Sequence, residues 1–196
     1  AITLPTGWKP IGVTKDGRKD LKNGENLNAF SGIFDGNNHT VTVPEGGLPL
    51  FGYVRNTRIR NLNIYGKKIA GYGLVNNFEG VGLSGTAVEI DNVTLKSGSS
   101  TLKAGLLGAN KTMSPYAGCS SSFEATVRNC TIEKDVVIGY DKDMNEIGAI
   151  AGRMQGTVEN CISYATVYGS SYVGGIIGTR DNAMGNCSVI GCKFYG

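Results

Sequence analysis

The chain has 196 residues, of which 40% are hydrophobic and 30 are glycine, and its formal net charge is +3. This length suits one domain with a hydrophobic core, and the glycine content lies well above the usual level of about 7%. Lysine and arginine are dispersed in runs of no more than two, and no apolar run of about 18 residues occurs, so neither nucleic-acid binding nor membrane insertion is predicted.

Residues 1–30 differ from the rest of the chain. They hold the only tryptophan, Trp8, and a polar turn run over 15–20. Stacked-repeat proteins need an atypical terminal segment to cover their first strand edge. We therefore predict an N-terminal cap over 1–30 and stacked repeats over 31–196. Because the chain starts at Ala1 and stops just after a repeat strand, we expect it to be a segment of a larger parent chain.

A two-part phrase recurs through residues 31–196. Its first half is a small pair, two aliphatic residues and a glycine, and its second half is aliphatic-x-Asn-aliphatic. The first half starts at residues 48, 72, 104, 148 and 174, and the second half carries Asn61, Asn92, Asn129, Asn160 and Asn186. The basic period is about 25 residues, which is typical of stacked repeats.

Apolar and polar residues alternate within each copy, as in residues 161–168, and this pattern predicts strands. One copy is expected to form one coil of an all-β parallel solenoid, whose strands pair with their equivalents about 4.8 Å away in the next coil. About six such coils fit the chain. The Asn of each copy is expected at a corner, because flanking aliphatic residues three apart cannot both face inward on a straight strand and Asn tolerates the left-handed conformation.

The segment Phe-Ser-Gly-Ile-Phe-Asp-Gly-Asn-Asn-His-Thr-Val at residues 30–41 leads into Pro49-Leu50-Phe51-Gly52 and then Asn61-Leu62. With the entry segment Trp8-Lys9-Pro10-Ile11-Gly12, this succession resembles the GLUG-motif repeat family of bacterial cell-surface proteins. The resemblance implies a right-handed single-stranded parallel β-helix in an adhesin-type protein that is extracellular, either at the cell surface or secreted.

His39 is the only histidine, and Asp35 precedes it by four residues. A catalytic dyad also needs a nucleophile, and a zinc site needs three or more ligands. Both residues are therefore interpreted as turn formers, and no catalytic residue is assigned.

Three cysteines, Cys130, Cys161 and Cys187, follow the Asn of successive copies. Their position predicts an inward column of free thiols that pack as small hydrophobic groups. One disulfide between neighbours remains an alternative, and the states of Cys119 and Cys192 stay open. Since Cys-x-x-Cys is absent, no metal site and no cofactor are predicted.

Two copies carry extra residues at the same corner, over 77–86 and 110–123, and a third insertion lies near 139–146. Variable loops are the usual carriers of binding residues. We predict that the first two loops stack into a recognition patch with Phe78, Lys111 and Tyr116, although loops that only cover strand edges fit equally. Tyr164 and Tyr168 are expected to face outward and are further candidates for stacking on sugars.

The run that contains Asp141, Asp143 and Asn145 alternates side-chain oxygens and is a weak calcium candidate. It lacks the glycine and glutamate spacing of a helix-loop-helix calcium site. A solvated charged turn is the favoured interpretation.

Two functions from different classes remain. The first is a noncatalytic, monomeric surface module that binds a host or environmental glycan or surface protein, or acts as a rigid spacer. The second is a polysaccharide lyase or hydrolase, since β-helices also house such enzymes. A lyase or hydrolase needs clustered carboxylates, whereas Asp91 and Glu159 share a repeat position with Arg128 between them. The sequence therefore favours the noncatalytic module.

Overall fold

The computed structural model describes residues 1–12, 21–22, 25–26, 29–78, 87–110, 124–180 and 187–196. Within these residues the protein is all-β, and most of its strands pair in parallel. No helix capable of crossing a membrane occurs in this part of the chain.

The described residues form short strands joined by turns, and three longer strands continue through a bend. In chain order the strands are β1 Ile2–Thr3, β2 Leu21–Lys22, β3 Glu25–Asn26, β4 Phe30–Thr42, β5 Phe51–Tyr65, β6 Val75–Phe78, β7 Ala87–Leu95, β8 Ser100–Thr101, β9 Leu107–Asn110, β10 Glu124–Arg128, β11 Thr131–Ile132, β12 Val137–Ile138, β13 Asn145–Gly148, β14 Ala151–Met154, β15 Gly156–Glu159, β16 Ile162–Ser163, β17 Thr166–Val167, β18 Ser171–Gly174, β19 Ile177–Arg180, β20 Cys187–Ile190 and β21 Lys193–Phe194.

Strands of successive repeats pair in parallel and form five ladders. The first runs β5-β6-β9-β14-β19, and the second runs β4-β5-β7-β10-β15-β20. The third continues from the far halves of β4, β5 and β7 into β11, β16 and β21. The fourth is β8-β12-β17 and the fifth is β13-β18, while β2 and β3 pair antiparallel. Consecutive strands of one repeat therefore belong to different ladders, and each ladder collects the equivalent strands of successive repeats.

The ladders bring equivalent apolar residues into inward-facing columns. In the second ladder Ile59, Ile90, Val127 and Val158 are neighbours in register, and all four are fully buried. Each buried aliphatic side chain contributes about 1.5–3 kcal/mol through removal of its surface from water. The same column ends at Val189, which is 51% exposed because no described strand lies beyond β20.

Four of the predicted corner residues adopt the left-handed conformation. The φ angles of Asn61, Asn92, Asn129 and Asn160 lie between 52° and 56°. The Asn92 side-chain amide donates to Asn61 Oδ1 at 2.9 Å, so neighbouring corners are also joined by their side chains. Asn suits these positions because it reaches positive φ at lower cost than other residues with a Cβ and supplies both a donor and an acceptor.

The fifth predicted corner, Asn186, lies outside the described residues. The register pairs Glu159 with Ile190 and so sets Asn160 beside Gly191, which has a φ of 61°. The column of inward aliphatic residues fixes this register, since a shift of one residue would turn every side chain to the opposite face. Consequently Cys192, not Cys187, follows Cys130 and Cys161 in the thiol column, while Cys187 pairs with Gly156.

Small residues in the first half of the phrase allow adjacent repeats to approach closely. A Cβ added to Gly105 would stand 1.7 Å from the carbonyl oxygen of Ala149, and one added to Gly108 would stand 1.7 Å from that of Asn76. Both distances are too short for two atoms that are not bonded to each other, so Gly105 and Gly108 cannot be replaced by larger residues without a shift of the backbone. The recurrence of the small residues is thus a packing requirement.

The inward column predicts different responses to one substitution at two adjacent positions of β15. Val158→Asp places a carboxylate in a fully buried position and should lower the free energy of unfolding by about 3–5 kcal/mol. Thr157→Asp, at the half-buried outward neighbour, should cost about 1 kcal/mol or less. Urea unfolding of the two variants measures the difference, and equal losses would contradict the assigned inward face.

The corner conformation predicts how Asn92 tolerates replacement. Asn92→Gly should cost about 1 kcal/mol through loss of the bond to Asn61, whereas Asn92→Val should cost about 2–3 kcal/mol, because a β-branched residue strongly disfavours positive φ. Thr94→Val, two residues further along β7, is the matched control and should be nearly neutral. Thermal unfolding tests this order, and a valine variant as stable as the glycine variant would refute it.

Candidate functional site

Four tyrosines and three lysines lie in or next to the fourth ladder and its neighbouring turns, joined by one ring stack and three lysine–ring contacts. We call this surface the tyrosine–lysine face, and it comprises Tyr140, Tyr164, Tyr168, Tyr195, Lys68, Lys134 and Lys142. Tyr164 and Tyr168 were predicted to face outward, and they are 37% and 39% exposed. They flank β17, so the face has one aromatic group on each side of the fourth ladder.

The first group is built around Tyr164. Its ring stacks on Tyr195, with centroids 5.1 Å apart and an angle of 13° between the rings. Lys134 Nζ lies 5.8 Å from the Tyr164 ring centroid, and Tyr195 is 59% exposed. Tyr195 follows β21 as Tyr164 follows β16, so parallel pairing of these strands creates the stack.

The second group contains Tyr140 and Tyr168. Lys68 Nζ lies 5.1 Å from the Tyr140 ring centroid, and Lys142 Nζ lies 5.0 Å from that of Tyr168. Gly139 makes this arrangement possible, because a Cβ there would stand 2.1 Å from the Tyr168 carbonyl oxygen. Burial raises the pKa of Tyr140, and the charge of Asp141 raises it further, so the phenol remains neutral and can donate a hydrogen bond.

A strip of short side chains separates the two groups. Ser100, Val137 and Thr166 are register partners, and they face outward because their strand neighbours Thr101 and Ile138 are fully buried. Tyr164 and Tyr168 are four residues apart, so their Cα atoms stand at most about 13 Å from each other at about 3.3 Å per residue. The strip thus lies between tyrosines that have lysine ammonium groups near their rings.

The predicted recognition patch stays a prediction. Lys111, Tyr116 and the side chain of Phe78 lie outside the described residues, while the Phe78 backbone ends β6 and pairs with Val54 and Asn110. Sequence reasoning missed Tyr140, Tyr195 and the three lysines. The sequence alignment of Asn186 with Asn160 hid Tyr195, which the observed register aligns with Tyr164.

Oxygens of the calcium candidate accept hydrogen bonds from the neighbouring repeat and from their own turn. Asn145 Oδ1 accepts from the hydroxyls of Ser170 and Ser171, at 2.6 and 2.8 Å. Asp141 Oδ1 accepts from the backbone N–H of Asp143 at 3.4 Å. Across the described ranges, no three His, Cys, Asp or Glu side chains are grouped so that they could hold a metal ion.

The histidine region is likewise a turn. Asp35 Oδ1 accepts from the backbone N–H of Asn37 at 3.0 Å, and His39 Nδ1 lies 2.9 Å from the Asn37 carbonyl oxygen. Asn37 and Asn38 both have positive φ. The two side chains thus bond to the backbone of the bend that connects the second and third ladders in the first repeat.

The outer side of the second ladder carries alternating charges, which we call the charge ladder: Asp35, Arg58, Arg60, Glu89, Asp91 and Arg128. Ion pairs join neighbouring strands, with Arg60 Nε 2.8 Å from Asp35 Oδ2, Arg58 Nε 2.6 Å from Glu89 Oε2 and Arg128 Nε 3.2 Å from Asp91 Oδ2. Acidic and basic residues alternate from repeat to repeat, so like charges avoid adjacent positions.

Electrostatics of the charge ladder oppose acid catalysis. The hydrogen bond from Arg58 lowers the pKa of Glu89, and the hydrogen bond from the Asn37 backbone lowers the pKa of Asp35. A glycosidase acid needs a raised pKa in order to hold its proton near neutral pH. These carboxylates are therefore suited to ion pairing.

A pocket of about 270 Å³ lies beside the charge ladder and is lined by Gly32, Ile33, Asn56, Thr57, Arg58 and Glu89. Its two charged residues form an ion pair with each other. Ile33 is 66% exposed at the edge of this pocket. The lining contains no cysteine, serine or histidine to act as a nucleophile, and its one carboxylate is paired.

Comparison with known proteins gave no relatives. No protein-family model matches the chain, no curated protein matches it significantly, and no solved structure does so.

The charge ladder predicts a specific pH dependence of stability. The pKa of Glu89 in the folded state lies below the ordinary value of 4.5, so its stabilising effect is present above pH 4.5 and is lost as pH falls through the folded-state pKa. Glu89→Gln should cost about 1 kcal/mol or less at neutral pH, because the pair is partly exposed. This deficit should shrink below pH 4.5.

Thermal unfolding between about pH 7 and about pH 3 at low salt measures this effect. Glu45→Gln, in an exposed turn, is the matched control, and its profile should run parallel to that of the unchanged chain. A Glu89→Gln deficit that stays constant at all pH values would show that the ion pair does not stabilise the fold.

Proposed function

We propose that the chain is a noncatalytic repeat module that binds glycans through the tyrosine–lysine face. The observation that carries this proposal is the pair of aromatic rims, Tyr164 with Tyr195 and Tyr140 with Tyr168, on opposite sides of a short-side-chain strip. Each rim carries a lysine within 6 Å of a ring, at Lys134, Lys142 and Lys68. Aromatic faces that carry hydrogen-bond donors suit sugars, whose rings have both apolar C–H faces and polar hydroxyls.

The scaffold in this proposal is a parallel β-solenoid of six coils. The pairing supports it, because the second ladder contains six strands in the order of the repeats, and the other ladders follow the same order. At the usual strand spacing, six coils form a stiff unit roughly 25 Å long. The right-handed coil, membership of the GLUG-motif family and an extracellular bacterial location are carried over from the sequence resemblance.

The net charge of the tyrosine–lysine face determines whether it prefers neutral or acidic ligands. Lys68, Lys134 and Lys142 are exposed, but Asp135, Asp141 and Asp143 are exposed beside them, so the local charges balance. A balanced surface gives no strong preference for anionic partners, because attraction at the lysines is offset at the carboxylates. We therefore propose that the module takes neutral as well as acidic glycans.

The state of the carboxylates favours binding over cleavage. Asp35, Glu89 and Asp91 are held by arginines, and Glu133 is held by Lys96 and the Ser97 backbone N–H. Glycan hydrolysis needs two carboxyl groups facing one bond, one of them protonated. The paired carboxylates support a module in which a monomer presents its surface to host or environmental glycans, in the manner of an adhesin.

The test uses labelled neutral, acidic and mucin-type glycans with the unchanged chain in the presence of calcium. Size-exclusion chromatography follows the length of each glycan, and titration calorimetry measures its affinity. Tyr168→Ala and Tyr195→Ala should each weaken binding about tenfold, which corresponds to loss of about 1.4 kcal/mol of stacking. Tyr172→Ala is the matched control, because Tyr172 is 65% exposed outside the proposed face.

The outcomes separate the alternatives. A glycan that co-elutes with the chain and loses affinity only in the two face variants supports the module. A glycan that becomes shorter would replace the proposal with the polysaccharide lyase or hydrolase. If no glycan binds, the glycan-binding proposal is wrong. The module would then bind a protein ligand or act as a rigid spacer.

A further inference from the structure

The corner cysteines form a column that the proposed function does not use. Cys130, Cys161 and Cys192 occupy the same position in three successive repeats, which we call the thiol column. The Cys130 backbone N–H donates to Cys161 Sγ, and the Cys161 N–H donates to Cys192 Sγ, each at 3.4 Å. The sulfurs of Cys161 and Cys192 therefore each lie against the backbone of the preceding cysteine in the column.

The thiols also bond to carbonyls two residues earlier in the chain, which accept from a corner N–H of the preceding repeat as well. Cys161 Sγ donates to the Glu159 carbonyl oxygen at 3.3 Å, and Cys192 Sγ donates to that of Ile190 at 3.5 Å. The column thus has a structural role in its reduced form. Its three thiols are free in the structure.

We propose that Cys161 and Cys192 form a reversible disulfide when the chain meets a small-molecule disulfide. Neighbouring parallel strands lie about 4.8 Å apart, which is within the Cα separation of about 4.4–6.8 Å that a disulfide requires. Both side chains point to the same side of the third ladder, since Ile162 pairs with Lys193 in register. Rotation about the Cα–Cβ bond of Cys161 turns its sulfur toward Cys192.

Burial decides which pair of the column reacts. Cys130 and Cys161 are fully buried, whereas Cys192 is only partly buried and has no described strand on its outer side. An oxidant that approaches from solvent therefore meets Cys192 first. The thiol hydrogen bond from Cys130 lowers the pKa of Cys161, while burial raises the pKa of Cys130, so Cys161 is the better second nucleophile.

The reaction is a pair of thiol–disulfide exchanges. The Cys192 thiolate attacks one sulfur of the oxidant R–S–S–R, a Cys192–S–S–R bond forms, and RS⁻ leaves. The Cys161 thiolate then attacks Cys192 Sγ, the Cys161–Cys192 bond forms, and a second RS⁻ leaves. The two cysteine protons end on the two RSH molecules, so the cysteines are oxidised by two electrons and the oxidant is reduced by two.

This bond would link the repeat that contains β20 and β21, whose inward residues are partly exposed, to the repeat before it. Val189 and Phe194 continue inward columns whose earlier members are buried, yet they are 51% and 39% exposed. A link between positions 31 residues apart removes conformational freedom from the unfolded chain and joins the last two repeats. The disulfide should therefore slow local opening of β20 and β21.

The experiment treats the folded, reduced chain with oxidised glutathione at mildly alkaline pH, because partial burial raises the pKa of Cys192 and slows the first step. After alkylation of the remaining thiols, peptide mapping by mass spectrometry should show the Cys161 peptide joined to the Cys192 peptide. Hydrogen exchange in β20 and β21 should slow about tenfold, and reduction should restore the original rate.

Two variants control the assignment. Cys192→Ser should abolish the link, whereas Cys187→Ser, which alters a nearby cysteine outside the column, should preserve it. A glutathione adduct that stays on Cys192 without resolving, or a link to Cys119, Cys130 or Cys187 instead, would overturn the proposal. Absence of any reaction at Cys192 in the folded chain would overturn it as well.

Discussion

The structure depends on one constraint: equivalent residues of successive repeats must stack in register across parallel ladders. An inward position is buried only if the next repeat places its own apolar residue above it, as Ile90 does for Ile59. Registers that differ by one residue would turn these side chains to the surface. Left-handed corners such as Asn92 and small residues such as Gly105 are needed so that the backbones of adjacent repeats bend and approach in the same way.

Stacking also organises the outer surface. A position that faces outward in one repeat also faces outward in the next. A charged side chain therefore lies close to the side chains at the equivalent position of the adjacent repeats. Acidic and basic residues alternate along one such column, which contains Asp35, Arg60, Asp91 and Arg128, so neighbouring charges attract each other. The arrangement uses the arginines and carboxylates for pairing and leaves them poorly suited to acid–base chemistry.

The proposed glycan binding and the proposed disulfide both use columns that contain neither aliphatic nor paired charged residues. Tyr164 and Tyr195 stack because they follow equivalent strands, and the same rule aligns Cys161 with Cys192. In the proposed solenoid, the tyrosine–lysine face lies along its side and the partly exposed thiol lies toward its last repeat. The two proposals can therefore be tested independently, one with glycans and one with a small-molecule disulfide.

The sequence by itself determined the β-strands, the spacing of the repeats and four corner residues, because alternation of side chains and the tolerance of Asn for positive φ are local properties. Only the tertiary structure decided that Gly191 lies beside Asn160 and that Cys192 follows Cys130 and Cys161 in the thiol column. Two similar phrases, Asn186-Cys187 and Gly191-Cys192, lie within a few residues of each other. Either could be aligned with Asn160-Cys161 from the local sequence pattern alone. The choice depends on Val189 lying next to Val158 in the inward column, a contact between residues 31 positions apart.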